Sequence, residues 1–169
     1  YINSIYSDSY EYNLYNNYGV VGTIHTPSAR TFDEGVHGVT MYFGKPNQTV
    51  TFSANPFNWL EASFFYTNVD GRPYCYEEFD VVCQQDFKDK GFNIKLRVKE
   101  QGVYPAIAIG LNDFAGTGIY SSEYIVGSYG INRTDFHFGI GFGLLDGSDL
   151  NFKNPFGYIS DKFYDRPTE

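Results

Sequence analysis

Several kinds of residue are scarce in this 169-residue chain, and each scarcity excludes a class of protein. No stretch approaches the roughly 20 consecutive apolar residues of a membrane-spanning helix, so a helical membrane protein is not predicted. The three histidines, His25, His37 and His137, are isolated in the sequence, so neither a metal ion nor a cofactor is expected. Cations are also few. The 12 Lys and Arg against 20 Asp and Glu give a net charge of −8, which argues against nucleic acid as a partner.

Cysteine is rare too, and both cysteines lie in one short polar segment. Cys75 and Cys83 bracket the sequence YCYEEFDVVC. This spacing favours a loop disulfide, formed in an oxidising compartment, over two free thiols. A zinc site is not predicted because no other Cys or His lies nearby at ligand spacing.

Aromatic residues, in contrast, make up 20% of the chain, with 16 Tyr and 16 Phe. Both residue types favour β-strands. This composition is typical of outer-membrane barrels with aromatic girdles, and equally of soluble Tyr-rich β-proteins such as carbohydrate-binding modules. Trp59 and several tyrosines near predicted strand ends are interpreted as interfacial belts, with sugar stacking in a lumen as the alternative. Those tyrosines are Tyr42, Tyr66, Tyr104 and Tyr129.

The segment 91–145 carries the clearest structural signal. Apolar and polar residues alternate strictly in FNIKLRVK, and the same period returns in FHFGIGFG. A period of two predicts strands with one apolar and one polar face, which fits a barrel wall with lipid outside and a wet lumen inside. The residues predicted to face lipid are Phe43, Phe52, Phe64, Phe92, Ile94, Leu96, Ile107, Ile109, Phe136, Phe138 and Ile140. The polar residues predicted to face the lumen, joined by ion pairs, are Thr40, Glu61, Asn93, Lys95, Arg97 and His137.

Seven antiparallel strands are predicted in an up-and-down meander, at 36–44, 48–54, 58–68, 91–100, 104–112, 122–130 and 134–144. From the third connection onward, long loops alternate with tight turns, as in barrels whose turns face the periplasm. The longest connection, Val69–Lys90, carries the cysteines and is expected outside the cell. Strand 122–130 has no clear apolar face because Ile125 and Val126 are adjacent.

The predicted fold class is therefore all-β, an antiparallel up-and-down meander that forms all or part of an outer-membrane β-barrel. Residues 1–35 are expected to form an irregular periplasmic arm with a turn at PSAR, where Pro27 ends any strand ladder. Residues 36–144 form the wall and residues 145–169 a long polar loop. Seven strands leave two unpaired edges, which lipid does not tolerate. Further strands from the rest of the protein or from another chain are therefore expected.

Five blocks of sequence carry a family resemblance: TPSAR, WLEASFFYT, DKGFNIKLRVKE, YPAIAIGLNDFAGTGIYSSEY and DFHFGIGFG. Their order and spacing over most of residues 19–144 resemble the YjbH family of exopolysaccharide- and capsule-associated outer-membrane proteins. The resemblance implies a β-barrel, often a lipoprotein, acting in export or assembly of surface polysaccharide without an established enzymatic reaction. The family-motif positions are Pro27, Arg30, Asp113, Gly116, Gly118 and Glu123. Family members are several times longer, so this chain corresponds to their N-terminal portion. No cysteine stands at its start to carry a lipid.

No catalytic constellation stands out. Two of Glu61, Asp113 and Glu123 could form a glycosidase-type carboxylate pair, but structural ion pairs and turn capping are favoured for these residues. The chain is therefore expected to be non-enzymatic, with outer-membrane lipid and surface polysaccharide or its export machinery as partners. Arg30 is predicted to anchor the arm to a carboxylate of the wall, with a plain surface arginine as the alternative. Two other functions stay open: a soluble aromatic-rich β-domain that binds carbohydrate or protein at the cell surface, and a glycan-modifying enzyme.

Overall fold

The chain folds as a seven-stranded antiparallel sheet whose strands lie side by side in sequence order. The structure is a computed structural model, and it describes residues 13–76, 82–146 and 153–164. The sheet contains β3 (His37–Phe43), β4 (Asn47–Phe57), β5 (Leu60–Tyr76), β6 (Val82–Lys99), β7 (Ala106–Asn112), β8 (Ser122–Ile131) and β9 (Thr134–Gly143). A separate ladder pairs β1 (Gly22–Thr23) with β2 (Thr26–Pro27). The predicted all-β antiparallel meander is confirmed.

The two ends of the sheet differ in their connections. At one end, here called the turn end, the strands are joined through residues 58–59, 100–105 and 132–133. The opposite end, called the loop end, carries residues 44–46 and 113–121. Strands β5 and β6 are longer than their neighbours β4 and β7 at the loop end, and they stay paired with each other there. Their hairpin therefore projects past the loop end.

Alternation along each strand gives the sheet an apolar and a polar face. The register aligns the faces across strands: Phe64 lies opposite both Phe52 and Phe92, whereas Glu61 lies opposite Lys95. Large side chains of the apolar face are exposed, for example Met41 at 63%. The most exposed of these are Val39, Met41, Phe43, Phe52, Phe92, Val98, Phe136, Phe138 and Ile140.

The polar face, in contrast, is buried. Eight of its side chains are at most 5% exposed: Thr51, Ser53, Glu61, Ser63, Thr67, Asp89, Asn93 and Lys95. Charged and amide side chains are rarely buried in soluble proteins, and large apolar side chains are usually inside. The sheet therefore reverses the usual arrangement of a water-soluble domain.

Residues 13–35, called the arm, cover the polar face. Val20 and Ala29 are both 0% exposed. Ala29 belongs to a small apolar cluster with Ala106, Ala108, Tyr124 and Val126. This cluster gives strand β8 a defined orientation, because Tyr124 and Val126 pack toward the arm while Ile125 is 44% exposed on the apolar face.

One sequence-based expectation about a break in the ladder is wrong. The predicted loop Val69–Lys90 is instead largely strand, because β5 and β6 continue as a paired hairpin. A register shift between Val69 and Pro73 contains Gly71 at φ 82°, and this irregularity accommodates a proline that cannot donate to the ladder. Pro27, in contrast, ends a short ladder as predicted, since it is the last residue of β2 and pairs with Gly22.

The cysteines lie in this hairpin. Cys75 and Cys83 are register partners in the paired backbone of β5 and β6. Residues 77–81 and the side chains of residues 75–84 lie outside what the structure describes. The disulfide therefore stays a prediction.

The described part of the C-terminal segment packs on the apolar face. It contains two short 3₁₀ helices, Pro155–Tyr158 and Asp161–Phe163, and no strand within residues 153–164. Asn154 donates its side-chain amide to Glu123 Oε2 at 2.8 Å, so Glu123 is only 3% exposed although it lies on the apolar face.

Strands β3 and β9 form the edges of the sheet, and among the described residues they do not pair with each other. The sheet is therefore open in this part of the chain. Within the same residues, no helix is long and apolar enough to cross a membrane.

Candidate functional site

A buried ion pair lies where the arm contacts the polar face. Lys95 Nζ is 2.5 Å from Glu61 Oε2, and the two side chains are 0% and 1% exposed. Burying charges is costly unless their remaining hydrogen bonds are made. The arm makes them: Lys95 donates to the carbonyl oxygens of Val21 at 3.0 Å and Arg30 at 2.6 Å. Glu61 accepts from Val21 N at 3.0 Å and from Asn55 Nδ2 at 3.2 Å. The pair thus binds backbone groups of the arm.

Arg30, in the C-terminal part of the arm, binds the sheet at its turn end. Its guanidinium makes a two-point contact with Asp135 in β9, with Nε 2.8 Å from Oδ2 and Nη2 2.7 Å from Oδ1. Nη2 also donates to Gln101 Oε1 at 2.5 Å, and the same oxygen accepts from Gly130 N. Arg30 is 7% exposed, so it contacts a carboxylate of the wall and is not a surface arginine.

The arm approaches the sheet closely at Gly19. A Cβ at this position would lie 2.4 Å from Thr51 Cγ2 and 2.5 Å from Ser53 Oγ, and φ is +71°. Glycine is required by both the space and the conformation. The preceding carbonyl, that of Tyr18, accepts from Ser63 Oγ and Asn93 Nδ2, each at 2.7 Å.

A pocket of about 320 Å³ lies between the arm and the loop end of the polar face. Its walls are aromatic, amide and hydroxyl side chains, with two leucines. They are Asn17, Tyr18, His25, Tyr42, Asn47, Thr49, Phe65, Thr67, Asn93, Tyr120, Leu144 and Leu145. None of these is Asp, Glu, Lys or Arg, although charged residues lie nearby on the same face.

Aromatic rings from three parts of the chain meet at this pocket. His25 of the arm lies edge-on to Tyr18 and Tyr42, with ring centroids 6.4 and 6.5 Å apart. Tyr120 lies edge-on to Phe65 at 6.1 Å. The sequence-based assignment of Tyr42 to an interfacial belt is wrong, because this side chain lies on the polar face. The ring folds back over Gly44, where a Cβ would lie 2.2 Å from its hydroxyl.

The connection after β7 packs against β6 through Asp113. This residue is 3% exposed with φ 49°; its N–H donates to Asn93 Oδ1 at 2.9 Å and its Oδ2 accepts from Tyr120 N at 3.1 Å. Burial raises the pKa of Asp113 to about 6. Backbone hydrogen bonds from Tyr120 and Gly118 lower this pKa by smaller amounts, whereas the nearby charge of Asp89 raises it.

Two glycines make room for that carboxylate. A Cβ on Gly116 would lie 2.0 Å from Asp113 Oδ1, and one on Gly91 would lie 2.2 Å from it. Gly118 has φ 82°, which a side chain would strain. The motif residues of this loop therefore pack around Asp113, whereas Pro27 and Arg30 lie in the arm and Glu123 lies on the opposite face of the sheet.

The sequence-predicted sets fall on the expected faces. The lumen set, Thr40, Glu61, Asn93, Lys95, Arg97 and His137, shares the polar face, and the eleven residues predicted to face lipid share the apolar face. Phe64, Ile94, Leu96 and Ile109 are half-buried between neighbours on that face. Contact with lipid stays a prediction. Glu61 and Glu123 lie on opposite faces and do not converge. The described residues contain no group of three or more His, Cys, Asp or Glu placed to hold a metal ion.

Sequence analysis missed the contribution of the arm to the pocket. Asn17, Tyr18 and His25 come from a stretch without periodicity, so no strand pattern assigns them a face. The available signal was compositional, since aromatic and amide residues are frequent there. The wall carboxylate that Arg30 contacts, Asp135, was also not identified, because it lies 105 residues away along the chain.

Comparisons with known proteins identify the family of this chain. The sequence model of the YjbH family, described as exopolysaccharide biosynthesis protein YbjH, matches residues 14–169. A curated relative, the "Uncharacterized lipoprotein YjbH" of Escherichia coli (strain K12), is 37% identical over 149 residues. That match covers 88% of this chain and 21% of the relative, so the chain spans about one fifth of the relative's length. No solved structure matches. The chain belongs to the YjbH family.

Proposed function

We propose that the chain forms part of the wall of an outer-membrane β-barrel that acts, without catalysing a reaction, in export or assembly of surface exopolysaccharide. The observation that carries this proposal is the reversal of the two faces. Glu61 and Lys95 are buried, whereas Phe43, Phe138 and Ile140 are 75%, 58% and 62% exposed. An extended apolar surface of this kind causes association in water. In a bilayer it is the surface that acyl chains cover.

Strand length supports the same proposal. Strands β4, β8 and β9 contain 11, 10 and 10 residues. A tilted membrane-spanning strand needs about 9–11 residues. Two connections of the turn end, 58–59 and 132–133, are tight and the 113–121 connection of the loop end is longer, as in outer-membrane barrels, although the 44–46 connection of the loop end is short. In the proposed orientation the turn end faces the periplasm and the loop end faces outward.

Closure of the barrel requires more strands than this chain supplies. Strands β3 and β9 each have one neighbour in the described sheet, and an unpaired edge in lipid leaves backbone groups without hydrogen bonds. The relative is far longer than this chain, which matches 21% of it. The remaining strands therefore come from the rest of a longer protein or from another chain.

The arm has the position of a plug in this barrel. Its residues Val20 and Ala29 are fully buried against the polar face, and its backbone binds the Glu61–Lys95 pair. Segments that fill the lumen are a known feature of outer-membrane barrels.

The exopolysaccharide role is supported by the family description, which names exopolysaccharide biosynthesis. The relative's name calls that protein a lipoprotein, which agrees with a location in the cell envelope. A non-enzymatic role is supported by the arrangement of the acids: Glu61 is bound by Lys95, and Glu123 lies on the other face beneath Asn154.

The test is fractionation of bacterial membranes with and without detergent, combined with gel migration of heated and unheated samples. Recovery in the outer membrane, release only by detergent, and heat-modifiable migration are expected. A folded monomer that is soluble without detergent would contradict the proposal. The second candidate, a soluble cell-surface domain that binds carbohydrate, would then be favoured, because the aromatic pocket does not depend on lipid.

A further inference from the structure

We infer that the pocket between the arm and the loop end binds a short segment of neutral saccharide. This inference rests on the proposed function, because it names the chemical class that the wall would contact. Its volume of about 320 Å³ is at the lower end of the range for small-ligand pockets, which suits one or a few sugar rings.

The lining has the two components that a sugar ring requires. Aromatic rings offer apolar surface to the C–H face of a sugar, and Tyr18, Tyr42 and Phe65 supply them here. Amide and hydroxyl groups hydrogen-bond to sugar hydroxyls, and Asn17, Asn47 and the threonines of β4 and β5 supply these.

Three polar groups are available for a ligand. Among the described residues, the hydroxyls of Tyr18 and Tyr42 and the Nδ2 of Asn47 make no hydrogen bond to the protein. Asn47 is nevertheless held in place, because its Oδ1 accepts from Tyr120 OH at 2.9 Å. The amide donor of Asn47 is thus positioned and unused.

The charge of the lining selects among saccharides. No Asp, Glu, Lys or Arg lines the pocket, so no lysine or arginine there would neutralise a uronate, sulfate or phosphate group. The chain carries a net charge of −8, which disfavours an anionic ligand further. The chemistry therefore fits neutral sugar residues.

The position of the pocket agrees with a polysaccharide outside the cell. Tyr42, Asn47 and Tyr120 lie at the loop end, which faces outward in the proposed orientation. Gly19 and Val20, which follow the lining residue Tyr18 in the arm, are buried against the sheet.

The test is calorimetric titration of the purified protein in detergent micelles with neutral tetrasaccharides, namely cellotetraose, maltotetraose and mannotetraose. Tetragalacturonate serves as the acidic probe of similar size. Binding of at least one neutral probe and none of the acidic probe is expected. Tyr42→Ala should weaken that binding roughly tenfold or more, the scale of one lost aromatic contact with its hydrogen bond.

Two further variants keep the result interpretable. Tyr42→Phe removes only the hydroxyl, so it should fold and show an intermediate loss. Tyr104→Ala removes a 68% exposed tyrosine at the turn end and should bind as the unmodified protein does. Failure of all three neutral probes, equal binding of tetragalacturonate, or unchanged binding in both Tyr42 variants would overturn the inference.

Failure of the inference is distinguishable from failure of the proposed function. If the protein is released from the outer membrane only by detergent but binds none of the probes, the pocket assignment is wrong and the proposed function stands. If the protein is soluble without detergent but binds a neutral probe through Tyr42, the proposed function is wrong and the pocket assignment stands.

Discussion

Lys95 and Glu61 lie directly opposite each other on β6 and β5, with Nζ and Oε2 2.5 Å apart and both side chains almost fully buried. The pair holds the arm, because Lys95 donates to the carbonyls of Val21 and Arg30. Lys95→Met should therefore destabilise the fold by about 3–5 kcal/mol, since it leaves Glu61 buried without its partner. The measurement is denaturant unfolding in micelles, with limited proteolysis of the arm as a second readout. Lys90→Met, on the same strand but exposed, is the matched control and should change stability by less than about 0.5 kcal/mol.

Arg30 contributes through its two-point contact with Asp135 and its bond to Gln101. Arg30→Ala should cost roughly 2–3 kcal/mol, because hydrogen bonds to charged groups are among the stronger ones. Arg30→Lys should recover only part of this, since an ammonium group cannot make the two parallel bonds. Thermal unfolding of the three proteins checks the order. Unchanged stability in Arg30→Ala would show that the contact does not hold the arm.

The buried carboxyl of Asp113 should make the stability of the fold depend on pH. Its folded pKa is raised to about 6 by burial, so between the ordinary value of 3.8 and about 6 the folded state holds a proton that the unfolded chain has released. The contribution to stability is therefore fully present below about pH 3.8 and falls as pH rises through about 6. In carbon NMR, the Asp113 carboxyl should titrate near pH 6.

The matched variant for this effect is Asp113→Asn, which keeps the oxygen that accepts from Tyr120 N. Relative to Asp113→Asn, the unmodified protein should lose stability from pH 4 to pH 7. Asp33→Asn, an exposed acid in the arm, serves as the control. A difference between the unmodified protein and Asp113→Asn that stays constant over this range would contradict the assigned protonation.

Thr40 and Met41 test the proposed membrane orientation with adjacent residues on opposite faces of β3. Met41→Lys places a charge on the face assigned to lipid and should cost about 2–4 kcal/mol near the bilayer midplane, with loss of outer-membrane insertion. Thr40→Lys places the same charge on the polar face and should still insert. A water-exposed Met41 would tolerate lysine, so equal insertion of both variants would count against the barrel.

Cys75 and Cys83 are expected to form a disulfide, because their backbones are register partners in the β5–β6 hairpin. Protein recovered from an oxidising compartment should resist iodoacetamide until it is reduced. Mass spectrometry of the peptide containing both cysteines gives the readout, with Cys83→Ser as the control that must alkylate at Cys75 without reduction. Alkylation of the unreduced native protein would show free thiols.

The sequence was sufficient for most of the strands and their faces, because a period of two depends only on neighbouring residues. The alternation of FNIKLRVK places Asn93 and Lys95 on one face without any tertiary information. The same reasoning failed for Val69–Lys90, which was predicted to be a loop. Strands β5 and β6 stay paired there, and Gly71 and Pro73 lie at a register shift in the ladder.

The tertiary structure decided which polar groups meet. Arg30 and Asp135 are 105 positions apart, and Val21 and Glu61 are 40 positions apart. No local pattern predicts either contact, because the arm lacks periodicity. The pocket arises for the same reason, since Tyr18 and His25 of the arm meet Tyr42 of β3 only after the arm has packed on the polar face. Local alternation determined the two faces of this protein, whereas long-range packing determined what covers one of them.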